Sequence, residues 1–367
     1  MEKINLLELP YTELTAFVAE ITRRSISEFL KIHANLYTTD LREATEAYLL
    51  RNGKCLRPNL LLLSALASGA KRPEQLLPAM AAVECYHTAT LIHDDIIDHD
   101  ELRRGKPTVH ALIAGQAAKR HPRLVSDKAR DYGVATAIVA GDILFGYSAS
   151  LLSMLTQHFS IGVVESILSY QSCILHPGLL LGEQLDMELE MLELSKVTAK
   201  SVEKMMRLKT GLLLGFAART GVALGERKPI EDSSLAATLG MAAEDAGIAF
   251  QIEDDILGLF GEASQLGKPI GSDLREGKPT LLMVNAWSKG TTAERKRLKN
   301  ILGNQMLTGK DIEDARAIVE RTGALATCRR RANVLIRQAK LACKAVPDEL
   351  ARQALLSWIG SLVKRSR

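Results

Sequence analysis

The chain has few aromatic residues and few cysteines, and neither basic nor acidic residues dominate its charge. Only 4% of its 367 residues are aromatic, and 47 Lys and Arg against 43 Asp and Glu leave a net charge of +4. So weak a positive balance does not indicate a nucleic-acid partner. The five cysteines form no CxxC or Cys/His metal spacing, and we expect reduced thiols in a cytoplasmic protein. They are Cys55, Cys85, Cys173, Cys328 and Cys343.

The sequence also shows no signal-peptide pattern and no apolar run long enough to span a membrane. The residues from Met1 to Asn5 lack the basic region and apolar core of a signal peptide. Apolar runs such as Leu60 to Ala67 are too short to cross a bilayer. We therefore predict a cytoplasmic protein without a transmembrane segment.

Helical periodicity is what the chain does contain. Hydrophobic residues make up 47% of the chain and charged residues 25%, as in ordinary globular proteins. Apolar residues such as Leu14, Val18 and Ile21 recur at helical spacing, and no hairpin or alternating strand pattern competes with them. Because no internal repeat or low-complexity linker is found, we predict one all-α domain over residues 1–367. Its motif-bearing core covers about 52–280, and C-terminal helices cover 281–367.

Glycine, proline and polar stretches predict where individual helices end. A break near Tyr37 to Asp40 separates two N-terminal helices, and a long helix is expected from about Pro73 to Leu102. The segment from Gly115 to Arg130 is polar and basic and contains Pro122, so we predict a surface loop there. A second loop, rich in glycine and proline, is predicted from Gly267 to Pro279.

An acidic cluster ends the long helix. Five carboxylates lie from Asp94 to Glu101, and on a helix Asp94 and Asp98 project from one face with Asp95 alongside. Like charges at this spacing repel each other, and grouped hard oxygen ligands suit Mg²⁺ as the compensating cation. A solvated acidic face is the ordinary alternative. It is less favoured here because the aspartates directly follow the apolar run from Ala89 to Ile92.

A second acidic pair, Asp254 and Asp255, lies far downstream, also within an apolar helical pattern. Each pair is followed by cations, Arg103 and Arg104 after the first and Lys268 after the second. Two carboxylate groups that hold metal ions, surrounded by lysine and arginine, describe a site for a diphosphate.

These motifs resemble those of a known family, the trans-isoprenyl diphosphate synthases or polyprenyl synthetases. Asp94-Asp95-Ile96-Ile97-Asp98 with Arg103-Arg104-Gly105 is similar to the family's first aspartate-rich motif, and Phe250-Gln251-Ile252-Glu253-Asp254-Asp255 to its second. The resemblance runs from about Asn52 to Thr280. It implies an isoprenoid synthase class I helical bundle around a central cavity, and a homodimer. The implied reaction is the Mg²⁺-dependent condensation of isopentenyl diphosphate with an allylic diphosphate to an all-trans polyprenyl diphosphate.

The resemblance also implies a metal site. Asp94, Asp98 and Asp254 match the family's Mg²⁺ ligands, with three ions per site in the family, and Asp95 and Asp255 support them. Gly258 stands where the fullest form of the second motif has a third aspartate. Metal binding by this motif is therefore expected to depend more on Asp254 and Asp255. Together with three cations, these aspartates are the predicted catalytic residues: Asp94, Asp95, Asp98, Arg103, Lys209, Asp254, Asp255 and Lys268.

Two groups of cations match the family's two diphosphate sites. The allylic diphosphate is assigned to Arg103, Lys209 and Lys268, with Thr210, Gln251 and Lys278 nearby. Isopentenyl diphosphate is assigned to Lys54, Arg57, His87 and Arg104, and Asn52 replaces the first glycine of the family's Gly-Gly-Lys-x-x-Arg-Pro. Three further matches are weaker: Asp186 to assist Lys209 or a metal-bound water, His93 as a structural residue, and Gly141-Asp142 as either a tight helix contact or a catalytic element.

Product length in this family depends largely on the side chains four and five positions before the first aspartate, here Thr90 and Ala89. Both are small and leave a tunnel open, so we expect geranylgeranyl diphosphate or a longer product. A farnesyl diphosphate synthase is the shorter alternative. A class I terpene cyclase needs no second diphosphate site, and the cations assigned to isopentenyl diphosphate argue against it. A non-catalytic subunit of a heteromeric synthase commonly has degraded aspartate motifs, which are intact here.

Overall fold

The computed structural model of the chain describes residues 6–51, 53–123, 125–261 and 270–363. Helices account for nearly all the regular structure in these ranges, so the predicted all-α class is confirmed. Asn52 and Lys268 lie outside the described residues. The described residues form two compact units, and the single-domain organisation stays a prediction.

The first unit comprises the described residues up to Gln171, with Ala217–Ala237 and Val346–Leu355. The helix α4 lies in its core and packs against α1, α3 and α6, because its apolar residues from Ala79 to Val83 are fully buried. The elements up to Gln171 are α1 Tyr11–His33, α2 Thr39–Leu49, α3 Leu56–Ala67, α4 Leu77–Ile97, β1 Leu102–Arg103, β2 Lys106–Pro107, α5 Val109–Arg120, α6 Ser126–Ser153 and α7 Ile161–Tyr170.

The second unit comprises the described residues of Ser172–Phe216, Thr238–Ala345 and from Leu356 onwards. Three of the helices, α10, α11 and α17, have residues in both units. Capping boxes begin three others: Thr198 pairs with Ser201, Thr291 with Glu294 and Thr308 with Asp311. The elements are α8 His176–Glu190, α9 Ala199–Met206, α10 Leu212–Glu226, α11 Ser234–Phe260, α12 Ser272–Glu276, α13 Leu281–Lys289, α14 Thr292–Ile301, α15 Gly309–Arg321, α16 Ala324–Ala342 and α17 Glu349–Val363.

The expected helix from Pro73 to Leu102 is wrong at its C-terminal end. The helix α4 ends at Ile97, and a two-stranded antiparallel hairpin follows, in which Leu102 pairs with Pro107 and Arg103 with Lys106. Its turn residues Arg104 and Gly105 have φ of 54° and 72°. A two-residue turn of type I′ requires positive φ at both positions, and its twist matches that of the flanking strands. Strands of two residues are too short to produce an alternating pattern, which is why the sequence did not predict them.

The predicted basic loop from Gly115 to Arg130 is also wrong. The helix α5 continues to Arg120 and α6 begins at Ser126, so the link between them is short. Lys119, Arg120, Lys128 and Arg130 are exposed on these helices, and His121 and Arg123 are exposed in the link. Arg120 also pairs with α2, where its Nη1 is 2.6 Å from Asp40 Oδ1. The segment from Gly115 to Arg130 is polar mainly because the ends of α5 and α6 on either side of Pro122 are exposed.

One described stretch, Ser126–Gln157, is long and apolar enough to cross a membrane by length and composition. Buried residues make up 44% of its most apolar window, and α6, which forms most of it, packs against α4 and α5. A single such helix is weak evidence for a membrane span, because core helices pass the same test.

Candidate active site

The first aspartate motif forms the C-terminal turn of α4. The amide of Asp98 donates to the carbonyl of Asp94 at 2.8 Å, so the helical spacing persists to Asp98 and keeps both carboxylates on one face. Both are partly exposed, whereas Asp95 between them is fully buried. The motif thus separates two accessible carboxylates, suited to bind a ligand, from one that contacts only protein.

Asp95 is held by two partners. Arg103 on β1 donates from Nε to Asp95 Oδ1 at 2.7 Å, and the Tyr48 hydroxyl on α2 donates to Asp95 Oδ2. Arg103 Nη2 also donates to Asp94 Oδ2 at 3.2 Å. Burial raises the pKa of Asp95, while the hydrogen bonds from Arg103 and Tyr48 oppose this rise. Burial alone would lower the pKa of Arg103, but Asp95 and Asp94 raise it above its ordinary value. Arg103 is therefore a permanent cation beside the motif.

A second cationic group lies in the same unit, around His87 on α4 and Arg57 in the first turn of α3. Burial, followed by the charges of Arg57, Arg103 and Arg104, lowers the pKa of His87 well below 6.5, so its ring is neutral. Burial lowers the pKa of Arg57 to about 10, which leaves it charged at neutral pH. His87 Nδ1 and Arg57 Nε are buried without a hydrogen-bond partner among the described residues. Buried polar atoms are seldom left in this state, so both are suited to contact a bound anion.

Glu84 is the carboxylate of this group, and the sequence analysis missed it. A β-carbon placed on Gly53 would lie 3.8 Å from Glu84 Oε1 and 4.0 Å from Arg104 Nη1, so both side chains lie beside the glycine. Burial raises the pKa of Glu84, and the charges of Arg57 and Arg104 oppose the rise. Lys54 is exposed one residue after Gly53. The structure thus brings together Arg57, His87 and Arg104 as expected, and adds an acid that offsets part of their charge.

Lys209 lies in the second unit, in a π-helical turn, Arg207–Gly211, between α9 and α10. Its Nζ is 2.8 Å from Glu183 Oε1 and 2.7 Å from Asp186 Oδ2, both on α8. The helix α8 and the π-helical turn approach closely because Gly182 has no side chain: a β-carbon there would lie 2.4 Å from the backbone nitrogen of Lys209. Asp186 therefore contacts Lys209, and Glu183 is a partner that the sequence analysis did not assign.

The second aspartate motif lies near the end of α11. Thr210 Oγ1 donates to Gln251 Oε1 at 3.3 Å, and Gln251 Nε2 donates to Asp255 Oδ1 at 3.0 Å. Asp255 is 8% exposed, and its Oδ2 is buried without a hydrogen-bond partner in the described part of the chain. Burial and then the charge of Asp273 raise its pKa well above the ordinary value; Asp254 and Asp186 contribute further.

Asp273 is the acidic residue that the sequence analysis overlooked in this cluster. A β-carbon placed on Gly258 would lie 3.1 Å from Asp273 Oδ2, so the carboxylate of Asp273 lies directly beside the glycine. Gly258 is the position where the family's fullest motif has a third aspartate. Lys278, two residues after the end of α12, donates its amide to the Asp273 carbonyl at 2.9 Å, and its Nζ is 3.1 Å from Glu276 Oε2.

Carboxylates brought together in each unit fit Mg²⁺ by their chemistry. A buried acid with a raised pKa and an unpartnered oxygen, as in Asp255, gains from a nearby cation. Within the described ranges, no group of three or more His, Cys, Asp or Glu side chains could by itself hold a metal ion as an all-protein cage. Mg²⁺ rarely uses such a cage, because it keeps several waters and binds through one or two carboxylates together with substrate phosphates.

Known proteins similar to this chain share one family. The family model described as polyprenyl synthetase matches residues 38–319. The chain is 35% identical over 320 residues to a short chain isoprenyl diphosphate synthase of Methanothermobacter thermautotrophicus, covering 86% of this chain and 87% of the relative. It is 33% identical to the geranylfarnesyl diphosphate synthase of Aeropyrum pernix, covering 93% of this chain and 98% of the relative.

Solved structures agree with these relatives. A geranylgeranyl pyrophosphate synthetase from Pyrococcus horikoshii superposes with a TM-score of 0.82 at 30% identity, covering 96% of this chain and 99% of the other. A geranylgeranyl pyrophosphate synthase from Corynebacterium glutamicum, complexed with isoprenyl diphosphate and magnesium, gives a TM-score of 0.81 at 27% identity, covering 95% and 98%. With its two intact aspartate motifs and their cations, the chain belongs to the Mg²⁺-dependent polyprenyl synthetase family and is a prenyl diphosphate synthase, a trans-prenyltransferase of isoprenoid biosynthesis.

Proposed function

We propose that the chain condenses isopentenyl diphosphate with an allylic diphosphate and makes an all-trans product of geranylgeranyl length or longer. The observation that carries this proposal is that His87 Nδ1 and Arg57 Nε are buried and have no hydrogen-bond partner among the described residues. His87 lies two helical turns before Asp94 on α4, and Arg57 lies on α3, which packs against α4. Arg104 lies in the hairpin turn that follows α4. A second diphosphate site of this kind is what a condensing enzyme needs and a terpene cyclase does not.

Asp94, Asp98 and Asp254 are the proposed ligands of Mg²⁺, three ions per site, with Asp95 and Asp255 in support. When bound, Mg²⁺ neutralises negative charge on the allylic diphosphate and makes it a better leaving group. Asp95 holds Arg103 through a hydrogen bond of 2.7 Å and is buried, so its proposed role is to orient that cation.

Arg103, Lys209 and Lys268 are the proposed cations for the allylic diphosphate, with Thr210, Gln251 and Lys278 nearby. Charge develops on the diphosphate oxygens as the bond to the allylic carbon breaks, and cations already held in place lower that barrier without reorganising. Lys209 is held in this way by Glu183 and Asp186. Lys268 lies outside the described residues, and its role follows from the resemblance alone.

Lys54, Arg57, His87 and Arg104 are the proposed partners of isopentenyl diphosphate. A neutral His87 can still donate one hydrogen bond to a phosphate oxygen, and Arg57 and Arg104 supply the opposing charge. Because this substrate keeps its diphosphate, its site needs binding and orientation rather than stabilisation of a leaving group. The double bond then attacks the allylic carbon, and loss of a proton completes the new unit.

The expected product length rests on Ala89 and Thr90. Ala89 is fully buried, and Thr90 is partly exposed with its hydroxyl donating to the His87 carbonyl at 2.8 Å. Neither side chain is bulky enough to block a growing chain beside α4. The names of similar proteins, geranylgeranyl and geranylfarnesyl diphosphate synthase, agree with a product of this length or longer. A homodimer in the cytoplasm completes the proposal.

One assay tests the proposal against its alternatives. The purified chain is incubated with Mg²⁺, isopentenyl diphosphate and either geranyl or farnesyl diphosphate, and the products are analysed by mass. We expect products of twenty carbons or more from both primers. Accumulation of a fifteen-carbon product would indicate a farnesyl diphosphate synthase, a cyclised hydrocarbon would indicate a terpene cyclase, and no turnover would indicate a non-catalytic subunit.

A further inference from the structure

Tyr48 reaches the first aspartate motif from another helix. Its hydroxyl, on α2, donates to Asp95 Oδ2 on α4, 47 residues away in the chain. Nothing in the resemblance gives this tyrosine a function. We infer that Tyr48 is a positioning residue for the allylic diphosphate, acting through Asp95 on Arg103. The inference rests on the proposed role of Arg103 in binding that diphosphate.

The two oxygens of Asp95 are divided between two partners. Oδ2 accepts from Tyr48, and Oδ1 lies 2.7 Å from Arg103 Nε and 2.6 Å from Arg103 Nη2. Rotation of a fully buried carboxylate that accepts a hydrogen bond on each oxygen would break those bonds, so the carboxylate is held in one orientation. The guanidinium of Arg103 is therefore fixed as well, with Nη2 3.2 Å from Asp94 Oδ2.

Arg51 extends the same contact to the hairpin. Its guanidinium lies over the Tyr48 ring at 4.7 Å, and its Nη2 donates to the Pro107 carbonyl at 3.1 Å. The end of α2 thus holds α4 through Tyr48 and β2 through Arg51. Arg103 on β1 in turn donates hydrogen bonds to Asp95 and Asp94 on α4. Three contacts fix the hairpin, and the cation that it carries, against the aspartate motif.

Without the Tyr48 hydroxyl, Asp95 Oδ2 has no donor in this arrangement. The carboxylate then turns toward the remaining N–H groups of Arg103, because an unpaired buried oxygen is unfavourable. The guanidinium is drawn away from Asp94 and from the diphosphate that it is proposed to bind. Binding of the allylic substrate should weaken, whereas the site of isopentenyl diphosphate around Arg57 and His87 keeps its contacts.

The same unit provides a matched control. Tyr132 on α6 donates to Asp40 Oδ2 at 2.8 Å, and Arg120 Nη1 lies 2.6 Å from Asp40 Oδ1. This Tyr–Asp–Arg group repeats the chemistry of Tyr48, Asp95 and Arg103 away from the proposed site. Tyr132→Phe therefore measures the effect of losing such a hydroxyl on folding alone.

The experiment compares steady-state kinetics and thermal unfolding of the full chain, Tyr48→Phe and Tyr132→Phe. In Tyr48→Phe we expect the KM of the allylic diphosphate to rise about tenfold, equivalent to about 1.4 kcal/mol. The KM of isopentenyl diphosphate should stay within about twofold, and Tyr132→Phe should change neither value. An unchanged allylic KM in Tyr48→Phe, or an equal rise for both substrates, overturns the inference.

A second comparison tests the route through Arg103. In an Arg103→Lys background, where the guanidinium fork is lost, Tyr48→Phe should raise the allylic KM by less than about twofold further, because the two changes disrupt one unit. A full additional tenfold rise would overturn this route. Failure of the inference is distinguishable from failure of the proposed function, since the unaltered chain then still elongates the allylic primer.

Discussion

The imidazole ring of His93 on α4 occupies the space beside the α-carbon of Gly141 on α6. A β-carbon built on Gly141 would lie 2.2 Å from His93 Nε2. The ring also packs against Phe145 with centroids 5.7 Å apart, and Nε2 lies 3.1 Å from the Ile138 carbonyl. His93 and Gly141, which the resemblance matched separately, therefore belong to one close contact between α4 and α6. This contact explains why a glycine is needed at position 141, in agreement with the tight-contact alternative.

Gly141→Ala should therefore lower stability. The new methyl group overlaps His93, and relief requires moving the ring or separating α4 from α6, at a cost of about 1–3 kcal/mol. Gly146→Ala on the same helix is the control, because a β-carbon there has no neighbour within 4 Å. It should be neutral or stabilise α6 by about 0.5–1 kcal/mol. Thermal unfolding measures both, and equal melting temperatures for the two variants would contradict the contact.

His87 should make the fold sensitive to acid. Burial and three guanidinium groups lower its pKa well below 6.5 in the folded chain, whereas in the unfolded chain the imidazole binds a proton near pH 6.5. The unfolded state thus binds the proton first, and stability falls as pH drops below about 6.5. In His87→Gln the difference in melting temperature between pH 7.5 and pH 5.5 should shrink. His121→Gln, with an exposed ring, should leave that difference unchanged; an effect as large as that of His87→Gln would argue against a buried neutral imidazole.

The sequence predicted the parts of the candidate site that depend on local spacing. Asp94 and Asp98 lie on one helical face because helical hydrogen bonding continues one residue past the end of α4, to Asp98, and the all-α class follows from the periodicity of the apolar residues. Four site residues escaped prediction: Tyr48, Glu84, Glu183 and Asp273. Each acts through a tertiary contact, such as the one from Tyr48 to Asp95 across 47 residues. No local pattern encodes a partner at that separation.

The hairpin after α4 and the segment from Gly115 to Arg130 were predicted wrongly for related reasons, whereas the predicted loop from Gly267 to Pro279 contains the short helix α12. The hairpin after α4 has two residues in each strand, so its only sequence signal is the turn at Arg104 and Gly105, and a glycine there fits the end of a helix equally well. The basic segment from Gly115 to Arg130 was interpreted as a loop because its composition is polar. Charged side chains there lie on exposed helix faces, and composition alone does not distinguish such faces from a loop.

Asp273 should influence metal binding through its place beside Gly258 and its charge on Asp255. We expect Asp273→Asn to raise the Mg²⁺ concentration that gives half-maximal activity by about tenfold, as loss of a group supporting the metal ligands typically does. Asp232→Asn, which changes an exposed acid in the 3₁₀ turn before α11, should leave this concentration unchanged. Mg²⁺ titrations at saturating substrates provide the measurement. Identical curves for Asp273→Asn and the unaltered chain would show that Asp273 does not assist the metal.

Product length should shorten when the side chains before the first aspartate become bulky. Ala89→Phe places a ring at a fully buried position, and Thr90→Phe places one at a partly exposed position on the next residue. In either variant the growing chain would overlap the ring, so the mean product should lose at least one five-carbon unit. Thr90→Ser is the control, because it keeps a small side chain with a hydroxyl able to donate to the His87 carbonyl.

Mass analysis of products from geranyl diphosphate measures the effect, with circular dichroism to verify that each variant is folded. Thr90→Phe is the more informative variant, because partial exposure accommodates a ring with less overpacking than the fully buried Ala89 does. If folded Thr90→Phe and Ala89→Phe both give the product distribution of the unaltered chain, residues elsewhere, such as those on α6, limit the product. Shorter products from Thr90→Phe with unchanged products from Thr90→Ser would show that side-chain volume beside α4 sets the length.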